Sequence, residues 1–273
     1  MGYFLAALLG GFFAFNSQAT PKKAARIIQS TLVRKFAARE TKVEVEGKRG
    51  VPVVKGRFRR VRVAMDGFTI GPDVGFTLRA VPKAKSEGRV ENIEIALRDF
   101  QYKGLAIASL DVNLRDIAFD WKQLRKRSRV DIVRCGAVTA HLQLAAGALE
   151  PFLKTKLEGV KDAKLQLMSG NRVSVQGTKP APFLDVPIPF ALSGKLGAHN
   201  GNEIWVDDAH VSIGGVALSD QMSQSFTRSV NPIYVFDREH KTPFRVQIRS
   251  MQTSAAGIDI RADLPFVPAA PTR

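Results

Sequence analysis

Two short stretches set the pattern of apolar and polar positions in this chain. Ile93 to Phe100 reads IEIALRDF and Leu110 to Ile117 reads LDVNLRDI. Ile93, Ile95 and Leu97 share one face of a strand, and Phe100 then falls at the opposite parity. Leu110, Val112 and Leu114 do the same before Ile117 and Phe119. Each Arg-Asp step therefore reads as a β-bulge, an extra residue that resets the face and bends the strand. Gln101 to Gly104 supplies a turn, so the pair predicts two long antiparallel strands bent alike. A sheet curled in this way wraps a helix of its own or encloses an apolar ligand.

Around this pair the periodicity changes twice. From Pro21 to about Glu40 it is helical: Ile28, Leu32 and Phe36 form a stripe, Thr20 stands at the cap and Pro21 at the first turn. Alternation of period two then takes over at Val43 and Val45, at Val61, Val63 and Met65, and at Phe76, Leu78 and Ala80. Further strands are predicted at Val138 to Leu144, through a hairpin at Ser169-Gly170-Asn171, and at Ile204 to Val206 and Val211 to Ile213. Phe183 to Leu196 carries Pro187 and Pro189, which predict an edge strand or an extended rim. Short helices are predicted from Ala148 to about Leu157 and after Ser219, the latter with Met222, Phe226 and Val230 on one stripe. Asn231 to Asp237 (NPIYVFD) ends that helix, and Phe244 to Ile248 with Ile258 and Ile260 closes the chain. No linker divides these elements, so one domain is expected over residues 20–273, preceded by a segment at 1–19.

That first segment is apolar from Tyr3 to Phe15. As a helix it spans roughly 20 Å, short of the ~30 Å hydrocarbon core of a bilayer. Ser17 and Ala19 place small side chains where a signal peptidase cuts, although the cationic n-region of a signal peptide is missing. A signal peptide, an uncleaved membrane anchor and a buried N-terminal helix all fit this run. Charge narrows the partners. Lys and Arg number 41 against 25 Asp and Glu, a formal net charge of +16, which favours anionic surfaces. The clusters are Arg57, Arg59, Arg60 and Arg62 on a predicted strand, and Lys122, Arg125, Lys126 and Arg127 in the most basic run, Trp121 to Arg134. No nucleic-acid motif accompanies them.

Chemistry is hard to find. His141, His199, His210 and His240 have no metal spacing, and Cys135 is the single cysteine. Neither a nucleophile elbow nor a phosphate-binding or dinucleotide glycine loop occurs. Asp207 and Asp208 are adjacent, so on a regular strand they point to opposite faces. The reading is a non-enzyme with no cofactor and no metal.

The order of these elements resembles the LmeA-like phospholipid-binding family of bacterial envelope proteins. The stretches that carry the resemblance are GRVENIEIALRDFQYKGLAIASLDVNLRDIAFDW, AVTAHLQLAAGALEPFL, GVALSDQMSQSF and NPIYVFD. The resemblance implies an α+β fold of the tubular lipid-binding type: a long, highly curved antiparallel sheet wrapping amphipathic helices in an elongated body. It also implies a phospholipid ligand and a place in the cell envelope, periplasmic or anchored. The expected lipid-facing wall is Ile95, Leu97, Val112, Leu114, Phe152, Met222 and Phe226. The expected membrane surface is the two basic clusters, facing an anionic bilayer. The alternative is a structural envelope protein held by its charge to an anionic membrane or wall polymer, with no ligand inside.

Overall fold

A computed structural model describes residues 20–48, 55–70, 77–102, 104–120, 122–123, 129–151, 157, 160–181, 184–236 and 242–269. The elements in chain order are α1 (Pro21–Phe36), β1 (Glu40–Glu46), β2 (Arg57–Ile70), β3 (Thr77–Ala80), β4 (Glu87–Tyr102), β5 (Leu105–Asp120), β6 (Arg129–Arg134) and β7 (Val138–Ala145). There follow β8 (Lys161–Leu167), β9 (Arg172–Ala181), β10 (Leu184–His199), β11 (Glu203–Ile213), β12 (Val216–Ala217), α2 (Asp220–Val230), β13 (Tyr234–Val235), β14 (Gln247–Ser254) and β15 (Gly257–Asp263). The predicted helix at Ala148 to Leu157 falls largely outside the described residues, as do Phe76 and the segment 1–19.

The strands form two open sheets, not one. The larger runs β1-β2-β4-β5-β7-β15-β14, with β3 and β6 attached beside β5; the smaller runs β12-β11-β10-β9-β8, with β13 on β11. The expected antiparallel meander is also corrected. β2 and β4 are parallel, and so are β3 and β6. The cause is the connection: the chain leaves β2, makes β3 elsewhere in the sheet and returns beside β2 in the same direction. Among the described residues the molecule is mainly β, with α1 and α2 as its two named helices.

α1 is held as its sequence predicts. The Thr20 hydroxyl accepts from the Lys23 N–H, and Ala24, Ile28, Leu32 and Phe36 are buried. Phe36 meets Phe68 of β2 edge-on at 5.8 Å, and Phe68 stacks on Phe100 of β4 at 5.1 Å. Each such buried side chain contributes about 1.5–3 kcal/mol.

The Leu-Arg-Asp steps do change the strand face, but by a different device from the one expected. β4 and β5 keep a single register from the Glu87–Asp120 pair to the Tyr102–Leu105 pair, so no residue is inserted between them. Instead Asp99 and Asp116 take left-handed φ values of 47° and 50°, which Asp tolerates better than most residues. Both polar residues of each step then face solvent, and Phe100 and Ile117 return to the core. β2 turns at the same level through Gly67, φ 63°, between its Asp66–Arg98 and Phe68–Phe100 pairs. A register shift does appear on the other side of β5, against β7, between Ile107 and Ser109.

In the smaller sheet the same residue type makes bulges proper. Asp162 and Asp208 have φ 53° and 49°, in the matching sequences Val160-Lys161-Asp162-Ala163 and Val206-Asp207-Asp208-Ala209. β8 shifts register on β9 there, and β11 on β10. Opposite the two bulges stand Gly177 and Gly194. A Cβ on Gly194 would lie 2.6 Å from Val206 Cγ1 and 2.7 Å from the Asp207 carbonyl oxygen, and Gly177 is equally tight against Val160 and Lys161. Gly194→Ala is therefore expected to destabilise the fold by about 1–3 kcal/mol through overpacking. Urea unfolding measures this; a loss below about 0.5 kcal/mol, the range of ordinary surface changes, would mean that the strands separate freely here.

Two asparagines close the exposed strand edges. The Asn171 amide accepts from the Thr253 N–H and donates to the Met251 carbonyl of β14, tying the smaller sheet to the larger. The Asn231 amide does the same to the N–H and C=O of Val206 on β11. Each amide stands in for a missing strand. Lys122 and Gln123 are helical and their N–H groups donate to the Asp120 carboxylate, and Arg129 to Arg134 forms β6.

β10 decides between the edge strand and the extended rim that its prolines predict. It lies between β9 and β11 and is central, not an edge. Its prolines are accommodated because β11 pairs only as far as Phe190. At Pro187 and Pro189 only β9 continues alongside. The Pro189 carbonyl accepts from the Gly214 N–H, so the missing proline donors point to the side that β11 has left. This stretch is the extended rim that the prolines predict.

Candidate lipid-binding site

The apolar face of the smaller sheet is buried at one end and open at the other. Along β10, Leu192 and Phe190 are buried, Ile188 is half-buried and Val186 is 58% exposed. Along β11 and β12, Val206 and Val211 are buried, Ile213 is half-buried and Val216 is 68% exposed. Along α2, Val230 is buried, Phe226 is half-buried and Met222 is 57% exposed. Register places these gradients together. Phe190 pairs with Ile213, and Ile213 with Val216. The Phe190 and Phe226 rings lie 5.6 Å apart, and Ser223 of α2 accepts from the Val211 N–H. Three elements thus lose their cover in the same direction. Exposed apolar side chains gathered in one patch mark an interaction or ligand site more often than scattered ones do.

Met222 and Phe226 of the expected wall belong to this open end. Ile95, Leu97, Val112 and Leu114 do not. They sit on the inner face of β4 and β5, each at most 4% exposed, within the protein's own core. Ile95 pairs with Val112, and Leu97 and Leu114 flank them through Leu110 and Ile93. Phe152 lies outside the described residues. Sequence reasoning missed Val186, Ile188, Ile213 and Val216. The signal was present, because Val186-Pro187-Ile188-Pro189 sets apolar side chains on a rim that cannot be paired on one side, and Gly214-Gly215 ends β11 beside it.

Three of the four arginines of the β2 cluster, Arg59, Arg60 and Arg62, are occupied by neighbours. Arg59 pairs with Glu46 at 2.6 Å, Arg60 with Glu94 at 2.6 Å, and Arg62 with Glu94 and Glu44 at 3.0 and 3.2 Å. Burial pushes the Glu94 carboxyl upward, but hydrogen bonds from Arg60 and Arg62 outweigh it and hold the group below its usual range. Arg57 and Lys122 are exposed. Arg125, Lys126 and Arg127 lie outside the described residues.

Two open clefts lie elsewhere. One, of about 830 Å³, runs from Arg172 past the Asp207–His210 bulge to Arg228 of α2. The other, of about 630 Å³, crosses the larger sheet between Arg62 and Arg261, and its lining includes Ile95 and Val112 of the expected wall beside Ala96, Asn113 and Thr139. Their rims carry charges of both signs, and neither includes Val186, Val216, Met222 or Phe226.

His141 is bonded to Asp259 at 2.6 Å, and His199 is bonded to Asp207 at 2.9 Å and stacked on Trp205. Burial, and then the charge of Asp116, pushes the Cys135 thiol up to about 12, far from a usable thiolate. Among the described residues no three His, Cys, Asp or Glu side chains gather around a common point, and no helix is long and apolar enough to cross a membrane.

No curated protein and no solved structure matches this chain. The model of the LmeA-like phospholipid-binding family matches residues 86–263, from the start of β4 to the end of β15, which is well over half of the chain. The match takes in the paired Leu-Arg-Asp strands, both Asp-Ala bulges of the smaller sheet, α2 and its NPIYVFD sequel, and the chain belongs to that family.

Proposed function

We propose that this protein is a non-enzymatic phospholipid-binding or lipid-transfer protein of the bacterial cell envelope, and that it takes acyl chains at the open end of its smaller sheet. Membership of a phospholipid-binding family supports the ligand class. The shared exposure gradient along β10, β11–β12 and α2 is the observation that carries the site. Acyl methylenes laid against Val186, Ile188, Ile213, Val216 and Met222 would gain about 0.8 kcal/mol each on leaving water. That gain needs no catalytic group. The excess of positive charge suits a protein working against anionic lipid.

A structural envelope role is the second reading, favoured by the burial of Ile95, Leu97, Val112 and Leu114 in the protein's own core. Mass spectrometry of the gently purified protein separates the two. A phospholipid-sized adduct that survives high salt is expected, because acyl burial is not screened. Absence of any adduct, together with no uptake from liposomes of several compositions, would defeat the lipid-binding reading and leave the structural one.

A further inference from the structure

We infer that the outward face of α1 is a docking surface for an anionic bilayer. The positive charge of this protein is unevenly available. Arg59, Arg60 and Arg62 of β2 are spent on Glu44, Glu46 and Glu94, whereas α1 contains no carboxylate at all. Lys22, Lys23, Arg26 and Arg34 are exposed, and none forms an ion pair among the described residues. At 100° per residue they fall within an arc of about 120° with Ser30 and Val33. That arc lies opposite the buried stripe of Ala24, Ile28, Leu32 and Phe36. The helix is therefore fixed to β1 and β2 by one face and presents a cationic face outward. Val33, 45% exposed, adds an apolar side chain in the middle of the charges. A rigid, flat, cationic helix face with an apolar centre fits the headgroup layer of an anionic membrane. In sequence, only Asn16 to Thr20 separate the helix from the apolar run Tyr3 to Phe15.

The inference concerns attachment and does not require lipid inside the protein. It is tested with the full chain and two sets of vesicles, zwitterionic and anionic. Binding to zwitterionic vesicles measures apolar attachment, and the increase on anionic vesicles measures electrostatic attachment, of which the variants below give the share of α1. Changing Lys22, Lys23, Arg26 and Arg34 to Gln should lower partition onto anionic vesicles at 0.1 M salt by on the order of a hundredfold or more. Zwitterionic binding and the co-purified lipid should be unchanged. A control with Lys83, Lys85, Lys161 and Lys164 changed to Gln removes the same charge from exposed positions elsewhere, and should cost less than tenfold. Equal losses in the two variants would show a diffuse attraction of the whole molecule and overturn the inference. So would an unchanged anionic preference in the α1 variant. If the wild type binds an acidic polysaccharide but no anionic vesicle, the surface serves a polymer and the inference also falls. Loss of the lipid adduct in the wild type would defeat the lipid-binding reading and leave this one standing.

Discussion

Leu114→Ala should lower the unfolding free energy by about 2–5 kcal/mol and leave lipid uptake by the folded protein unchanged. Leu114 has no exposed surface and lies between Ile93 of β4 and Val138 of β7 in the middle of the larger sheet. Truncation removes its buried methylenes and leaves a cavity that two neighbouring strands cannot close without breaking register. Leu97→Ala should behave in the same way, since it too is fully buried and pairs with Leu110. Chemical denaturation gives the stability, and uptake of a fluorescent phospholipid gives the function. The opposite pattern, stability kept and uptake lost, would restore the paired strands as a lipid-facing wall.

That outcome matters because the paired strands are where the sequence is most legible and where it misleads about function. Alternation in IEIALRDF and LDVNLRDI identifies strands, faces and the point where the face changes, all of which the structure bears out. It does not identify the device. An inserted residue and a single left-handed aspartate both move the next apolar residue by one position, and only register against a neighbour tells them apart. Asp is itself a hint, since it adopts positive φ more readily than most residues, and the same hint recurs at Asp162 and Asp208. Strand order was not legible. Nothing in the run Arg57 to Ile70 says that its partner β4 runs parallel to it, because alternation reports a face and not a neighbour. The division into two sheets was hidden for the same reason: the Asn171 contacts that join them link residues far apart in the chain. At the candidate site, α2 was found from its stripe, but exposure was not. Met222 and Val230 look alike in the pattern, yet one is 57% exposed and the other buried. Which end of an apolar stripe stays open depends on where the adjoining strand stops, and β11 stops at Gly214-Gly215.

Introducing carboxylates at the open end, as Val216→Asp with Met222→Asp, should abolish most lipid uptake while the protein stays folded. Both side chains are more than half exposed, so the substitutions bury no charge in the free protein. Surface changes of this kind are usually within about 0.5 kcal/mol of neutral. In the lipid-bound protein the same positions would lie against acyl chains. A carboxylate there must be stripped of water or force the chains away, at a cost of several kcal/mol per ion. Uptake from liposomes is therefore expected to fall at least tenfold, with the far-UV spectrum and the urea midpoint retained. Val267→Asp is the control, because Val267 is an exposed valine of similar character outside the gradient. It should leave uptake as it was. If the control and the double variant lose uptake equally, the effect comes from added negative charge against the membrane and not from the site. If the double variant takes up lipid normally, the open end of β10, β11–β12 and α2 is not where acyl chains are held.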